Sequence, residues 1–130
     1  MEQRKMTDEE AKKVCDRIRE VAYGLHLHLG TGYLEKVYEN GLAHRLEKAG
    51  MRVERQVPVT VRDEDGFVLG EYVADLVVEG IVVELKAVST LLPAHIAQTI
   101  NYLKAMGMEH GMLVNFGSGK FQCRKLARSK

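Results

Sequence analysis

Eight consecutive residues, Ile81-Val82-Val83-Glu84-Leu85-Lys86-Ala87-Val88, constrain this chain more than any other stretch. An apolar run of that length suits a central strand covered on both faces, where an unpaired charge is costly. Glu84 and Lys86 therefore need a reason to be there. The preceding segment, Phe67 to Val78, reads as a strand, and Glu79-Gly80 as the two-residue turn joining them. In that register Val78 pairs with Ile81, and Asp75 falls directly opposite Glu84. Directly opposed residues have Cβ atoms about 4.5–5.5 Å apart, so two carboxylates there repel unless something bridges them. A hard divalent cation is the natural bridge, because it takes oxygen ligands and commonly combines one or two carboxylates with phosphate oxygens. Alternation puts Lys86 on the face of Glu84, one step along. There its ammonium is placed to orient or help deprotonate a metal-bound water, or to stabilise charge on a phosphate. A plain Glu84–Lys86 ion pair is the simpler alternative, yet it would leave Asp75 facing Glu84.

The rest of the chain builds a frame around this hairpin. Thr7 and Glu10 match a capping box, and Val14, Ile18, Val21, Leu25 and Leu29 recur at helical spacing, which predicts a helix over about 8–29. Gly30-Thr31-Gly32 stops it. A second helix is expected from near Tyr33, with Leu34, Tyr38, Leu42 and Leu46 along one stripe and Gly50 as its stop. From Met51 the period changes: Val53, Val57, Val59 and Val61 share one parity, the pattern of a half-buried strand, and Pro58 suits a sheet edge. Asp63-Glu64-Asp65-Gly66 is the turn before the second strand. Beyond the apolar run, Pro93 opens a third helix whose stripe is Leu92, Ile96, Ile100 and Leu103, with Gly107 as its stop. Met112 to Phe116 then reads as a fourth strand. The helical crossover permits it to run parallel to the third, giving a mixed sheet. Gly117-Ser118-Gly119 turns into a basic final strand, Phe121 to Arg128. The expectation is one α/β domain over residues 1–130, a mixed β-sheet flanked by helices.

Composition narrows the function classes without choosing one. With 130 residues and 45% hydrophobic content there is material for one core. No stretch approaches the roughly 18 apolar residues of a membrane span, and residues 1–13 lack the apolar core of a secretory signal, so a cytoplasmic, non-membrane protein is expected. Cys15 and Cys123 have no metal-knuckle or redox spacing and read as two unrelated reduced thiols. The formal net charge is +1, so contact with nucleic acid would need a local basic surface. Lys120, Arg124, Lys125, Arg128 and Lys130 supply one at the C-terminal end, equally readable as a solubilising strand. Five dispersed histidines form no metal motif. His95 alone shares a helix face with Gln98 and Tyr102, and that geometry suits a bystander.

Asp75 followed after eight residues by Glu84-Leu85-Lys86 resembles the D-(x)n-E-x-K signature of the PD-(D/E)XK nuclease superfamily. Gly32-Tyr33-Leu34-Glu35-Lys36-Val37-Tyr38 is similar to the GxxExxY motif of one branch. Gln98-Thr99-Ile100-Asn101-Tyr102 resembles the QxxxY helix motif of related nucleases, and Asn115-Phe116-Gly117 also fits the branch. The usual proline before the aspartate is replaced by Ala74. The resemblance spans about residues 10–128 and implies a restriction-endonuclease-like core. It further implies that Asp75, Glu84 and the Leu85 carbonyl hold Mg²⁺ or Mn²⁺, with Glu35 as an additional acidic ligand and Lys86 as the catalytic lysine. Spacing alone leaves Glu35 equally readable as a solvated residue one turn from Glu39. Gln98 and Tyr102 would touch the substrate backbone or steady Lys86. Tyr38 fits the apolar stripe of its helix and reads as a packing residue.

The function these expectations describe is hydrolysis of DNA or RNA phosphodiester bonds by a metal-activated water. The alternative is a catalytically silent nucleic-acid-binding or interaction module that retains the nuclease fold. A 130-residue chain has little surface for gripping a duplex, a shortage that a homodimer would ease.

Overall fold

The computed structural model describes residues 5–128. Two helices, α1 (Asp8–Leu29) and α2 (Glu35–Lys48), precede three antiparallel strands, β1 (Val53–Arg62), β2 (Val68–Val78) and β3 (Ile81–Lys86). Then come α3 (Pro93–Met106), β4 (His110–Asn115) and β5 (Gln122–Ala127). The strands form one sheet in the order β1-β2-β3-β4-β5, mixed because β3 and β4 run parallel. Lys130 of the basic C-terminal series lies outside the described residues.

Local chemistry explains most boundaries. At the start of α1 the Glu10 amide donates to Thr7 Oγ1 at 3.1 Å and the Thr7 amide donates to Glu10 Oε1 at 3.0 Å, the reciprocal capping box. The second helix starts two residues later than Tyr33. The Tyr33 amide donates to the Tyr38 hydroxyl at 3.3 Å, and Leu34 keeps extended backbone as the N-cap. β3 ends at Lys86, short of Val88, because Asn115 takes over the next main-chain groups: its Oδ1 accepts from the Val88 amide at 3.0 Å and its Nδ2 donates to the Val88 carbonyl at 2.8 Å.

Two apolar clusters sit on either side of the sheet. Ile18, Leu25, Leu42 and Leu46 of α1 and α2 pack with Leu76, Val78, Ile81, Val83 and Leu85. Tyr102 and Leu103 of α3 pack with Val59, Ala74, Val77 and Val82. In β3 this is simple alternation, which places Glu84 and Lys86 on the parity of Val82, toward the α3 side. The single buried face expected for β1 is not what forms. Val53 joins the α1/α2 cluster, whereas Val57 and Val59 join the α3 cluster despite sharing its parity. The change falls at Gln56, whose φ of 53° breaks the strand's alternation. On β2, Leu76 and Val78 likewise face α1/α2 while Ala74 faces α3. Asp75 sits at that pivot.

The stripe of α3 is also rotated from its expected position: Thr99, Tyr102 and Leu103 are buried, while Ile96 and Ile100 are only half-buried. Tyr102 therefore packs into the α3-side cluster. Cys15 and Cys123 are free thiols, as expected; Cys15 is part of the α1/α2 cluster and Cys123 packs against it. Burial pushes both up, Cys123 to about 11, which keeps them protonated and poorly nucleophilic.

Candidate active site

Asp75 and Glu84 meet where the β2–β3 ladder stops. Pairing runs from Val78↔Ile81 to Leu76↔Val83, the register expected from the Glu79-Gly80 turn, in which Glu79 and Gly80 take φ values of 49° and 84°. One step further, side chains replace the ladder. The Asp75 amide donates to Glu84 Oε1 at 2.7 Å, and the Leu85 amide donates to Asp75 Oδ2 at 2.9 Å. Each carboxylate thus spends one oxygen on the opposite strand, leaving Asp75 Oδ1 and Glu84 Oε2 outside these bonds.

The electrostatics are those of a site short of positive charge. Glu84 is 5% exposed, and burial together with the Asp75 carboxylate pushes its carboxyl up to about 8. Asp75 is also raised, by burial, with the Leu85 amide and Lys86 pulling the other way. Lys86 is half-buried, two residues along β3 from Glu84, and its ammonium favours the ionised form of Glu35, Asp75 and Glu84 alike. Its own backbone is pinned, since the Phe116 amide donates to the Lys86 carbonyl at 2.8 Å.

Glu35, on the first turn of α2, is exposed to solvent but reaches the same field. Partial enclosure and then the Asp75 carboxylate raise its carboxyl, and Lys86 opposes them. Its coupling to the pair is electrostatic. Glu35, Asp75 and Glu84 do not form a trio at ligand spacing, and the three-residue grouping that does, among the described residues, lies elsewhere: Asp8, Glu109 and His110, with ligand atoms within 4.8 Å of one another. There Lys5 already stands 3.5 Å from Glu109, and Asp8 is almost fully exposed.

Sequence reasoning missed the residues that hold α2 against this site. Glu39 is 4% exposed and accepts from Lys36 at 3.0 Å, from Arg55 at 3.1 Å and from Gln56 at 2.8 Å. Burial raises its carboxyl, but these bonds outweigh it and hold Glu39 below the ordinary range. Arg55 also reaches Asn40. The strand kink at Gln56, beside Asp75, is thereby tied to the helix that carries Glu35. The signal available in the sequence was a glutamate one turn after Glu35, on the side of Tyr38.

The remaining motif residues fall into distinct roles. Tyr38 is fully buried, donates to the Gly30 carbonyl at 2.7 Å and stacks on Phe116 with ring centroids 4.8 Å apart. Asn115 is also buried and links β3 to β5 by donating to Gln122 Oε1 at 2.8 Å. Gly117 is required by space, because a Cβ there would lie 2.3 Å from the Val88 nitrogen. Tyr102 packs with Ala74 and Val82; burial raises its hydroxyl, and Glu84 and Asp75 add to that. Gln98 is exposed and lines a groove between α3 and the β1–β2 hairpin, as does Tyr102. His95 caps its own helix, its Nδ1 accepting from the Leu92 amide at 3.0 Å.

A divalent cation fits this donor set. Two carboxylates of hard oxygen character converge, Glu84 buried and Asp75 partly so, and each keeps an oxygen outside the clasp.

Comparison with known proteins accords with this architecture. The family model of the PD-(D/E)XK nuclease superfamily matches residues 12–126. None of the curated proteins compared with the chain matches it. Among solved structures, the protein SSO0001 is similar at a TM-score of 0.62 and 20% identity over 92% of this chain. The chain spans 63% of the length of SSO0001. An alkaline exonuclease, LHK-Exo from Laribacter hongkongensis, is similar at a TM-score of 0.53 and 12% identity, covering 97% of this chain and 73% of the exonuclease. At these identities the two structures show a shared fold.

Proposed function

Because this chain belongs to the PD-(D/E)XK nuclease superfamily, we propose that it is a Mg²⁺- or Mn²⁺-dependent nuclease of the GxxExxY branch that hydrolyses phosphodiester bonds in DNA or RNA. The observation that carries this reading is the clasp of Asp75 with Glu84 at the point where the β2–β3 ladder gives way to side chains, with Lys86 two residues along the same strand. Structural likeness to an alkaline exonuclease supports it.

The cation would be held by Asp75, Glu84 and the Leu85 carbonyl, with Glu35 nearby, and when bound it supplies Lewis acidity toward water and phosphate. The chain's own residues do the rest. Lys86 brings a positive charge to the phosphate as charge builds on its oxygens, and its ammonium donates a hydrogen bond that orients the attacking water. Gln98 and Tyr102 position the backbone of the substrate. Glu39, Arg55 and Gln56 keep α2, and with it Glu35, facing Asp75. No helix among the described residues is long and apolar enough to cross a membrane, and the proposed place of action is the cytoplasm. A homodimer would add surface for the substrate.

A second reading has its own observation. The clasp between Asp75 and Glu84 satisfies one oxygen of each carboxylate without any cation, as a silent binding module that keeps the nuclease fold would require. One panel separates the two: single- and double-stranded DNA and RNA, incubated with Mg²⁺, Mn²⁺ or EDTA, beside Lys86→Ala. Metal-dependent cleavage lost in the variant establishes the nuclease, and intact substrate in every lane establishes the silent module.

A further inference from the structure

The groove between α3 and the outer half of the β1–β2 hairpin is a separate feature of the surface, with a volume near 1160 Å³. Its lining contains two cations, Arg62 and Lys104, and no carboxylate among the described residues. That imbalance is local, since the whole chain carries 19 Lys and Arg against 18 Asp and Glu. Tyr72 stands in the groove half exposed, its ring centroid 5.6 Å from that of Tyr102 and tilted by 42°. Tyr102 in turn packs in one cluster with Ala74, the residue before Asp75, and Val82, which shares the strand face of Glu84, so its ring stands between the groove and the candidate site. Asn101 and Gln98 add neutral hydrogen-bonding groups along the α3 wall.

We propose that this groove seats single-stranded nucleic acid, with a base stacked on Tyr72 and the flanking phosphates on Arg62 and Lys104, so that the strand enters the site past Tyr102. The inference rests on the nuclease reading of that site and deepens it. A basic groove with an aromatic platform is the arrangement that binds single strands without regard to sequence. An unpaired base has a free π-face for the Tyr72 ring, whereas in the interior of a duplex both faces of each base are covered by its stacked neighbours. The cations act on the backbone and require no particular sequence.

Fluorescence anisotropy with a labelled oligothymidylate, an oligouridylate and a blunt DNA duplex of equal length tests this, in Ca²⁺ and in EDTA. Single strands bind about tenfold tighter than the duplex, Tyr72→Ala weakens single-strand binding about tenfold, and Tyr72→Phe retains it. Arg62→Gln lowers the dependence of binding on salt. Thermal melts confirm that each variant is folded. Equal or tighter binding of the duplex, or an unchanged affinity in folded Tyr72→Ala, overturns the groove assignment, whether or not the protein cleaves. Tyr72-dependent binding of single strands by a protein that cleaves nothing in any metal upholds the groove and removes the nuclease reading instead. The two oligonucleotides separate DNA from RNA.

Discussion

The Asp75 amide donates to Oε1 of Glu84 at 2.7 Å, so the strand that carries one carboxylate is fastened by the other. The fastening needs an acceptor oxygen, which a protonated carboxyl also supplies, although the bond favours the ionised form and so partly opposes the rise of the Glu84 carboxyl. The charge of Glu84 sets a pH dependence. The folded-state value of Glu84 is about 8, above the ordinary 4.5, so the native state holds a proton that the unfolded chain releases. Stability from this group is complete below about pH 4.5 and is lost as pH rises through about 8. Asp75 and Glu35, both raised, act in the same sense. Urea unfolding in EDTA is expected to show wild type weakening across this window, by an amount on the order of a few kcal/mol. Glu84→Gln keeps the acceptor and flattens the curve. A wild-type curve parallel to that of the variant would mean that Glu84 ionises freely in the fold.

Lys86→Ala is expected to lower cleavage by on the order of 10²–10³-fold while leaving affinity for Mn²⁺ largely intact, because an ammonium donates to oxygen and is no metal ligand. Titration calorimetry and a cleavage assay on the same preparation check the split. Retained cleavage would assign Lys86 to balancing the charge of the three carboxylates.

What the sequence disclosed here was local and periodic. The hairpin register follows from a two-residue turn, and so the opposition of Asp75 to Glu84 could be counted off before any coordinates. The capping box, the parallel fourth strand and the helix stops are equally short-range or topological. Three things were not legible. The kink at Gln56 reverses which helix layer the Val53–Val57 parity meets, and a glutamine gives no warning of a positive φ. Tyr102 turns inward because α3 rotates to bury Thr99 and Leu103, a matter of packing across the sheet. Glu39 reads as a surface charge until Arg55 and Gln56, sixteen and seventeen residues on, come to meet it.

The turn after β4 offers a test of how Lys86 is positioned. Asn115 and Phe116 hold the main chain at both ends of Ala87, and Gly117 lies so close to Val88 that a methyl group would strike backbone. Gly117→Ala is expected to cost about 1–3 kcal/mol, as overpacking does, and to reduce cleavage by shifting Lys86. Gly119→Ala, where an added Cβ meets nothing within 4 Å, is the matched control and is expected to match wild type. Denaturant melts of the two variants settle the comparison. Equal stability would show that the β3–β4 junction yields without strain.

Replacing Asp75 by asparagine separates the two accounts of the carboxylate pair. Asparagine keeps an oxygen for the Leu85 amide, so the clasp survives; burial still raises Glu84, while the negative charge that adds to it is gone. In EDTA the variant is expected to match wild type near neutral pH, where Glu84 is mostly protonated. Above about pH 8 it is expected to exceed wild type, because both carboxylates are then charged and repel in a partly desolvated site. In Mn²⁺ the order reverses. Wild type gains about 2.7 kcal/mol when free metal is one hundred times its dissociation constant, and the variant loses most of that gain. An ion pair from Asp75 to Lys86 acting only as structure predicts the opposite: a variant weaker in EDTA at every pH and a wild type indifferent to Mn²⁺. Thermal melts of both proteins at pH 7 and pH 9, with EDTA or Mn²⁺, distinguish the patterns, and the second would retire the metal site at Asp75 and Glu84.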